Sequence, residues 1–274
     1  MSGNRFAAAA STRPHAGRAV EEVVAAIRRG LGEGVRPTLM AVFVSPDLLN
    51  PVGDGPSALI HDALSPDYLI GCTAEAVIAA GREIEQPPAI SAWAAFLPEA
   101  SISSFHVTAH RVEEGIGIGG WPPELDADPP PAGPMIVLAD PFSFPTDLML
   151  NEINRREAPT VVGGLASGGM QAGDHRLFFG REELEAGAVG VLLSGVETVT
   201  AVSQGCAPVG PEMTVTDADG PVVSELAGRP AREKLNEVIA ELDEEERQLA
   251  DEGILAGIVV DENRADYGTG DFLV

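Results

Sequence analysis

Thr160-Val161-Val162-Gly163-Gly164-Leu165-Ala166-Ser167-Gly168-Gly169 is an apolar β-type run that stops in a loop of glycines and small residues. Tyr68-Leu69-Ile70-Gly71-Cys72-Thr73-Ala74-Glu75 has the same design, with Gly71 standing 92 residues before Gly163. A short strand that feeds a small-residue loop brings bare backbone N–H groups within close range of a ligand. Two copies of that device constrain the chain strongly, because the scaffold holding one loop has to be made twice.

The flanking pattern repeats as well. Residues 1–15 read as a loose, disordered tail. Ala19, Val20, Val23, Val24 and Ile27 then recur at helical spacing over 16–29, and Thr38–Val44 reads as a buried strand ending at Ser45-Pro46-Asp47. A short helix over 56–63 leads to the strand Tyr68–Gly71, then come Val77–Ala80 and Glu83-Ile84. Ala89–Phe96 and Ser101–Arg111 look like a hairpin joined by Leu97-Pro98-Glu99-Ala100. The glycines and prolines of 112–134 predict a boundary without regular structure. The order then starts again: strand Met135–Ala139 ending at Asp140-Pro141, helix Thr146–Arg155, strand Pro159–Gly163 with its loop, Arg176–Phe179, and strands Ala188–Ser194 and Thr198–Gln204.

Laying one half on the other puts Met40 near Met135, Gly71-Cys72 on Gly163-Gly164, and Trp93–Phe96 near Gly190–Leu193. The economical reading is a duplicated strand-helix-strand-hairpin unit, about 36–111 and 134–206, since each copy alone would leave a sheet face bare. The expected fold is mixed α/β of the α+β type: packed, mostly antiparallel sheets with outer helices, forming one domain over 16–207. Beyond it, 208–274 reads as the start of a second α/β domain. It has short strands around Asp217–Gly220, a helix Ala231–Leu242, an acidic helix Asp243–Asp251 and a strand Ile254–Val260.

A net charge of −25 makes nucleic acid and anionic lipid unlike partners for most of this surface. The two cysteines, Cys72 and Cys206, provide no disulfide framework and suit a reducing compartment. No apolar run is long enough to span a membrane, so a cytoplasmic location is expected.

Four motifs now stand in order: Gly71-Cys72-Thr73-Ala74-Glu75, Val162–Gly169, Val202-Ser203-Gln204-Gly205-Cys206 with Pro208, and Gly270-Asp271-Phe272-Leu273. Together they resemble the FIST family, named for F-box and intracellular signal transduction proteins, over roughly residues 36–274. The resemblance implies an N-terminal FIST domain followed by a C-terminal one, acting as a sensory module for small ligands, with amino acids proposed. Two departures matter: Ala76 stands where family members tend to have glycine, and the chain stops on the Gly-Asp-Phe-Leu motif that the family's second domain continues past. An incomplete second domain is therefore expected, with any signalling output on a separate partner.

The candidate ligand contacts are Gly71, Cys72, Thr73, Glu75, Asp140, Gly163, Gly164, Ala166, Ser167, Gly168 and Gly169. Backbone donors of the two loops would grip a carboxylate, Ser167 would add a hydroxyl, and a carboxylate from Asp140, Asp174 or Glu75 would take an ammonium. Tight turns and helix caps are the competing roles for the same residues. No phosphate loop or dinucleotide spacing follows the glycines, so no cofactor is expected. His106 and His110 fall on one face of a strand, about 13 Å apart at strand rise, too far to share a metal. The enzyme alternative is a thiol hydrolase or amidase using Cys72, which needs His61, His106, His110 or His175 within hydrogen-bond reach. The other alternative is a protein-interaction module whose loops are only structural.

Overall fold

A computed structural model describes residues 3–49, 53–86, 88–113, 115–127, 133–156, 159–200, 209–220, 222–259 and 272–273. The chain divides into two compact units, Met1–Val199 and Thr200–Val274. In chain order the first unit holds β1 (Arg5–Ser11), α1 (Ala16–Leu31), β2 (Leu39–Val44), α2 (Pro56–Leu64), β3 (Tyr68–Thr73), β4 (Val77–Ala79), β5 (Arg82–Ile84) and β6 (Ile90–Phe96). It continues with β7 (Ser101–Val112), β8 (Gly115–Gly119), β9 (Met135–Ala139), α3 (Thr146–Arg155), β10 (Val161–Leu165), β11 (Leu177–Phe179), β12 (Glu182–Leu184) and β13 (Ala188–Ser194).

These strands form a six-stranded sheet ordered β1-β6-β2-β3-β11-β12 and a five-stranded sheet ordered β10-β9-β13-β7-β8. Three apolar layers hold them. Val23 and Ile27 of α1 and Ile60 of α2 pack on Met40, Val42 and Val44, covering the outer face of the first sheet. Leu39, Ile70, Cys72 and Ala95 meet Leu138, Val189, Val191 and Leu193 between the sheets. Met149 and Ile153 of α3 pack on Met135, Val137 and Phe105 outside the second sheet. The result is a mixed α+β sandwich, two sheets face to face with helices outside. Complete burial of a Leu, Ile or Phe side chain stabilises by about 1.5–3 kcal/mol, so these layers supply the main driving force.

The duplication appears in the registers. β2 and β3 run parallel with Val42 opposite Gly71, and β9 and β10 run parallel with Val137 opposite Gly163. A Cβ on Gly71 would collide with the Val42 carbonyl oxygen, and one on Gly163 with that of Val137. Both glycines therefore serve the close approach of parallel neighbours. β6 lies antiparallel beside β2, as β13 does beside β9. β1 then pairs with β6 (Ala8 opposite Trp93) as β7 pairs with β13 (Phe105 opposite Gly190), so the repeat begins at β1.

That corrects the reading of residues 1–15 as a disordered tail. Alanine is a poor strand former, but here its size is what the position needs: an added Cβ on Gly30 of α1 would lie 2.7 Å from the Ala7 Cβ. Phe6 stacks on Trp93 with ring centroids 6.0 Å apart. The expected hairpin of 89–96 with 101–111 is also corrected, since β6 and β7 belong to different sheets and Leu97–Ala100 carries the chain between them. Gly115–Gly119, expected to lack regular structure, is β8, paired with Thr108–Val112. The predicted strand 198–204 does not form at 198–200, and its remainder lies outside the described residues.

The copies differ at one edge. β11 crosses over to pair with β3, Leu177 opposite Cys72, and brings β12 with it. Arg181 in their turn binds Asp54 at 3.0 Å and Asp62 of α2 at 2.9 Å. The corresponding hairpin β4–β5 lies instead beside β6 and β1, and β10 carries no strand on its outer edge among the described residues.

The second unit, described by itself, contains an antiparallel sheet of β14 (Val215–Asp219), β15 (Val222–Leu226) and β16 (Arg229–Pro230). It also has α4 (Ala231–Glu241), α5 (Glu244–Glu252) and a pair, β17 (Ile258–Val259) with β18 (Phe272–Leu273). Asp243 caps α5 reciprocally with Glu246, which accounts for the acidic run. The expected strand 254–260 is reduced to β17.

Gly71→Ala should destabilise the first unit by about 1–3 kcal/mol or more, because the added methyl has to displace backbone. Gly164→Ala, where an added Cβ meets nothing within 4 Å, should change stability by less than about 1 kcal/mol. Urea unfolding of the two variants checks the contrast.

Candidate functional site

The carboxyl ends of both parallel strand pairs converge, and the two loops touch. Ser167 N–H donates to the Thr73 carbonyl (3.0 Å), and Glu75 N–H donates to Ser167 Oγ (3.0 Å). Thr73, fully buried, also accepts from Arg176 N–H through Oγ1 (3.2 Å) and donates its own N–H to the Arg176 carbonyl (2.9 Å). Gly168, at φ +88°, is packed so closely that a Cβ would lie 2.9 Å from the Pro46 ring and 3.4 Å from Glu75 Cα. Residues after β2, β3 and β10 thus meet at one surface.

The rest of the glycine loop is tied to a buried pair. His175 Nδ1 lies 2.9 Å from Asp140 Oδ1, with the two side chains 2% and 1% exposed. Gly169 N–H donates to His175 Nε2 (3.2 Å), which makes Nε2 the acceptor and Nδ1–H the donor to Asp140. The other oxygen, Oδ2, accepts from Ser143 N–H (2.9 Å), and Phe142 stacks on the imidazole at 5.5 Å and 18°. Burial alone would raise the Asp140 carboxyl, but the hydrogen bonds from Ser143 and His175 outweigh it and hold the group below its ordinary value. Asp174 accepts from Met170 and Gln171 N–H (3.0 and 3.2 Å), and the Met170 bond leads the causes that keep its carboxyl low.

The expected ligand contacts therefore separate. Gly71 and Gly163 are needed for strand approach. Cys72 and Ala166 are buried between the sheets, and Asp140 is buried with both oxygens engaged. The N–H groups of Ala166, Ser167, Gly169, Met170 and Gln171 have internal acceptors, whereas Gly168 N–H has none among the described residues. Glu75, Gly164 and Gly168 are exposed, and Ser167 and Gly169 are half-buried. Of the three candidate carboxylates Asp140 is closed to an ammonium, Asp174 is half-buried and turned to Met170 and Gln171, and Glu75 is the exposed one. The Asp140–Ser143–His175 network was not legible from spacing; the Asp140-Pro141 strand end was its one sequence signal.

The thiol-hydrolase alternative is contradicted. Burial pushes the Cys72 thiol up to about 12, and no histidine hydrogen-bonds to it among the described residues. His106 bonds to the Ala186 carbonyl (3.0 Å), and His110 lies against Gly117 and Gly119. No three His, Cys, Asp or Glu side chains converge on a metal position among the described residues. No described helix is long and apolar enough to cross a membrane.

A groove of about 540 Å³ lies elsewhere on this unit, where β7 loses its β8 partner. Tyr68, His106, Trp121 and Phe179 line it, together with Ser103, Ser104 and Glu124. Composition hid it, because its rings come from four separate elements.

A sandwich of two βαβ-containing repeats, the second lending a hairpin to the sheet of the first, with crossed small-residue loops defines the class. A family profile described as the FIST N domain matches residues 38–229, and the chain belongs to the FIST family. The match ends at 229, beyond the expected domain end at 207. The uncharacterized protein Rv0628c of Mycobacterium tuberculosis is 38% identical over 271 residues, covering 98% of this chain and 69% of the relative. The uncharacterized protein Mb0898c of Mycobacterium bovis is 36% identical over 271 residues, covering 98% and 68%.

His175→Ala should cost about 1.5–3 kcal/mol or more at neutral pH, because the buried Asp140 carboxylate loses one of its hydrogen-bond donors. A carboxyl held low in the folded state stabilises above its unfolded value, about 3.9, and that contribution fades as pH falls through the folded value. The stability gap between wild type and His175→Ala should therefore narrow below about pH 4, as read by urea unfolding across pH. Cys72, in a Cys206→Ser background, should react with a disulfide reagent at pH 8 on the order of a thousandfold more slowly than an exposed thiol. Urea should abolish the difference.

Proposed function

We propose that this chain is a sensory domain that binds a small ligand at the crossing of the two loops and reports its occupancy to a separate signalling protein. Amino acids and small carboxylates are the candidate ligands. The observation that carries the reading is the crossing itself. The ends of two parallel strand pairs, one from each repeat, are joined there by the Ser167 bonds to Thr73 and Glu75, and strand ends of this kind are where α/β sheets hold ligands. Gly168 N–H, without an acceptor among the described residues, is a donor for a carboxylate oxygen, and exposed Glu75, whose backbone packs on Gly168, supplies a carboxylate for an ammonium. This is a narrower grip than a full ring of backbone donors, and it favours a ligand carrying both charges.

Membership of a family whose domains are generally sensory supports the role. The unpaired, buried Cys72 and the absence of an apolar membrane-crossing helix among the described residues are consistent with a cytoplasmic setting. The residues beyond 229, where the FIST N match ends, are read as part of a C-terminal FIST domain.

A thermal-melt panel of amino acids and small carboxylates tests the proposal. A ligand at about 100 times its Kd should add about 2.7 kcal/mol of stability. Glu75→Gln, at an exposed position, should remove the response to amino acids while leaving the unliganded melt unchanged. Silence across the panel, or an unchanged response in Glu75→Gln, overturns the site.

A further inference from the structure

We propose a second ligand site, independent of the loop crossing, in which the groove beside β7 takes a small organic cation: a substituted ammonium with an aromatic or alkyl body. The groove has a specific origin. β8 pairs only with Thr108–Val112, so Ile102–His106 of β7 has β13 on one side and no strand on the other among the described residues. The hairpin is opened at Gly120, where φ is +100° and any Cβ would strike the His106 carbonyl, and Pro122-Pro123 then turn the chain away.

The lining is chemically biased. A chain with nine Phe, two Trp and two Tyr places one Trp, one Tyr and two Phe here, and Tyr68, Trp121, Phe179 and His106 remain partly exposed around one concavity while Phe105 lies buried beneath it. The His106 and Phe179 rings stand 6.5 Å apart. The lining carries donors, the Tyr68 and Ser104 hydroxyls and a buried Trp121 indole N–H that has no partner among the described residues, but its one ionised group is an acceptor. His106 Nε2 faces the Ala186 carbonyl at 3.0 Å and so carries the hydrogen, leaving Nδ1 as an acceptor. Glu124 accepts from the Ser103 hydroxyl at 2.7 Å, a bond that holds its carboxyl low and charged. Among the described residues no Lys or Arg lines the groove. Aromatic rings with one carboxylate favour a cation over an anion, and the net charge of −25 adds a long-range pull of the same sign. The concavity, about 540 Å³ and largely open to solvent, has room for a small cation that keeps one side in water.

Benzyltrimethylammonium is the probe, titrated into a Trp93→Phe variant in which Trp121 is the remaining tryptophan and its fluorescence the signal. Calorimetry on the wild-type chain is the second measurement. Saturable binding is expected, weakened about two- to fivefold by Glu124→Gln or Tyr68→Leu, with benzoate not binding and benzyl alcohol binding less well. No saturation by about 20 mM in either measurement overturns the site. Equal binding of benzyl alcohol and the cation overturns the cation class. Glu75→Gln should leave this titration unchanged, so failure here and failure at the loop crossing are read separately.

Discussion

The pairing of β11 with β3 is the contact on which the first unit depends. It carries a hairpin from the second repeat into the sheet of the first, where Arg181 anchors it to Asp54 and Asp62. The first repeat cannot then complete its layer alone, because the β3 edge is covered by the other copy, whereas the second sheet is built wholly from strands of the second repeat. A transfer of this kind requires a connection long enough to cross between sheets. The eleven residues between Leu165 and Leu177 are that connection, and the glycine loop is their first half.

The loop chemistry follows from the crossing. A long glycine-rich segment loses much conformational entropy on ordering, and its backbone groups need partners where they leave solvent. Ser167 ties it to Thr73 and Glu75, Asp174 closes its far turn, and His175 holds Gly169 from below while Asp140 holds His175. Most of the amide donors are therefore structural, and the surface left for a ligand is the small part around Gly168 and Glu75. The buried Asp140–His175 pair is a positioning element beneath that surface.

The duplication leaves asymmetry that bears on function. β3 is covered, whereas β10 presents exposed Gly164 and Leu165 at an uncharged edge. In the second sheet, the hairpin β7–β8 opens at Gly120 and leaves partly exposed aromatic residues at the surface. Two chemically distinct surfaces thus arise from one repeated scaffold: a polar crossing suited to a zwitterion, and an aromatic groove suited to a cation.

Periodicity alone determined the repeat, its strands and helices, the two small-residue loops and the face-to-face sheets with helices outside, because apolar spacing records which side of an element is buried. Residues 5–11 escaped that reading because alanine carries little strand signal, and their pairing with β6 is decided by how closely α1 approaches. Gly115–Gly119 escaped it because glycine reads as irregular unless a partner strand is present. The sheet membership of β6 and β7, the transfer of β11 to β3, the burial of Cys72 and Asp140, and the gathering of Tyr68, Trp121 and Phe179 were decided only by the tertiary structure. Each of these joins residues far apart in the chain, and a sequence records what a residue prefers nearby, while the partner it finds across the sandwich depends on how the whole chain closes.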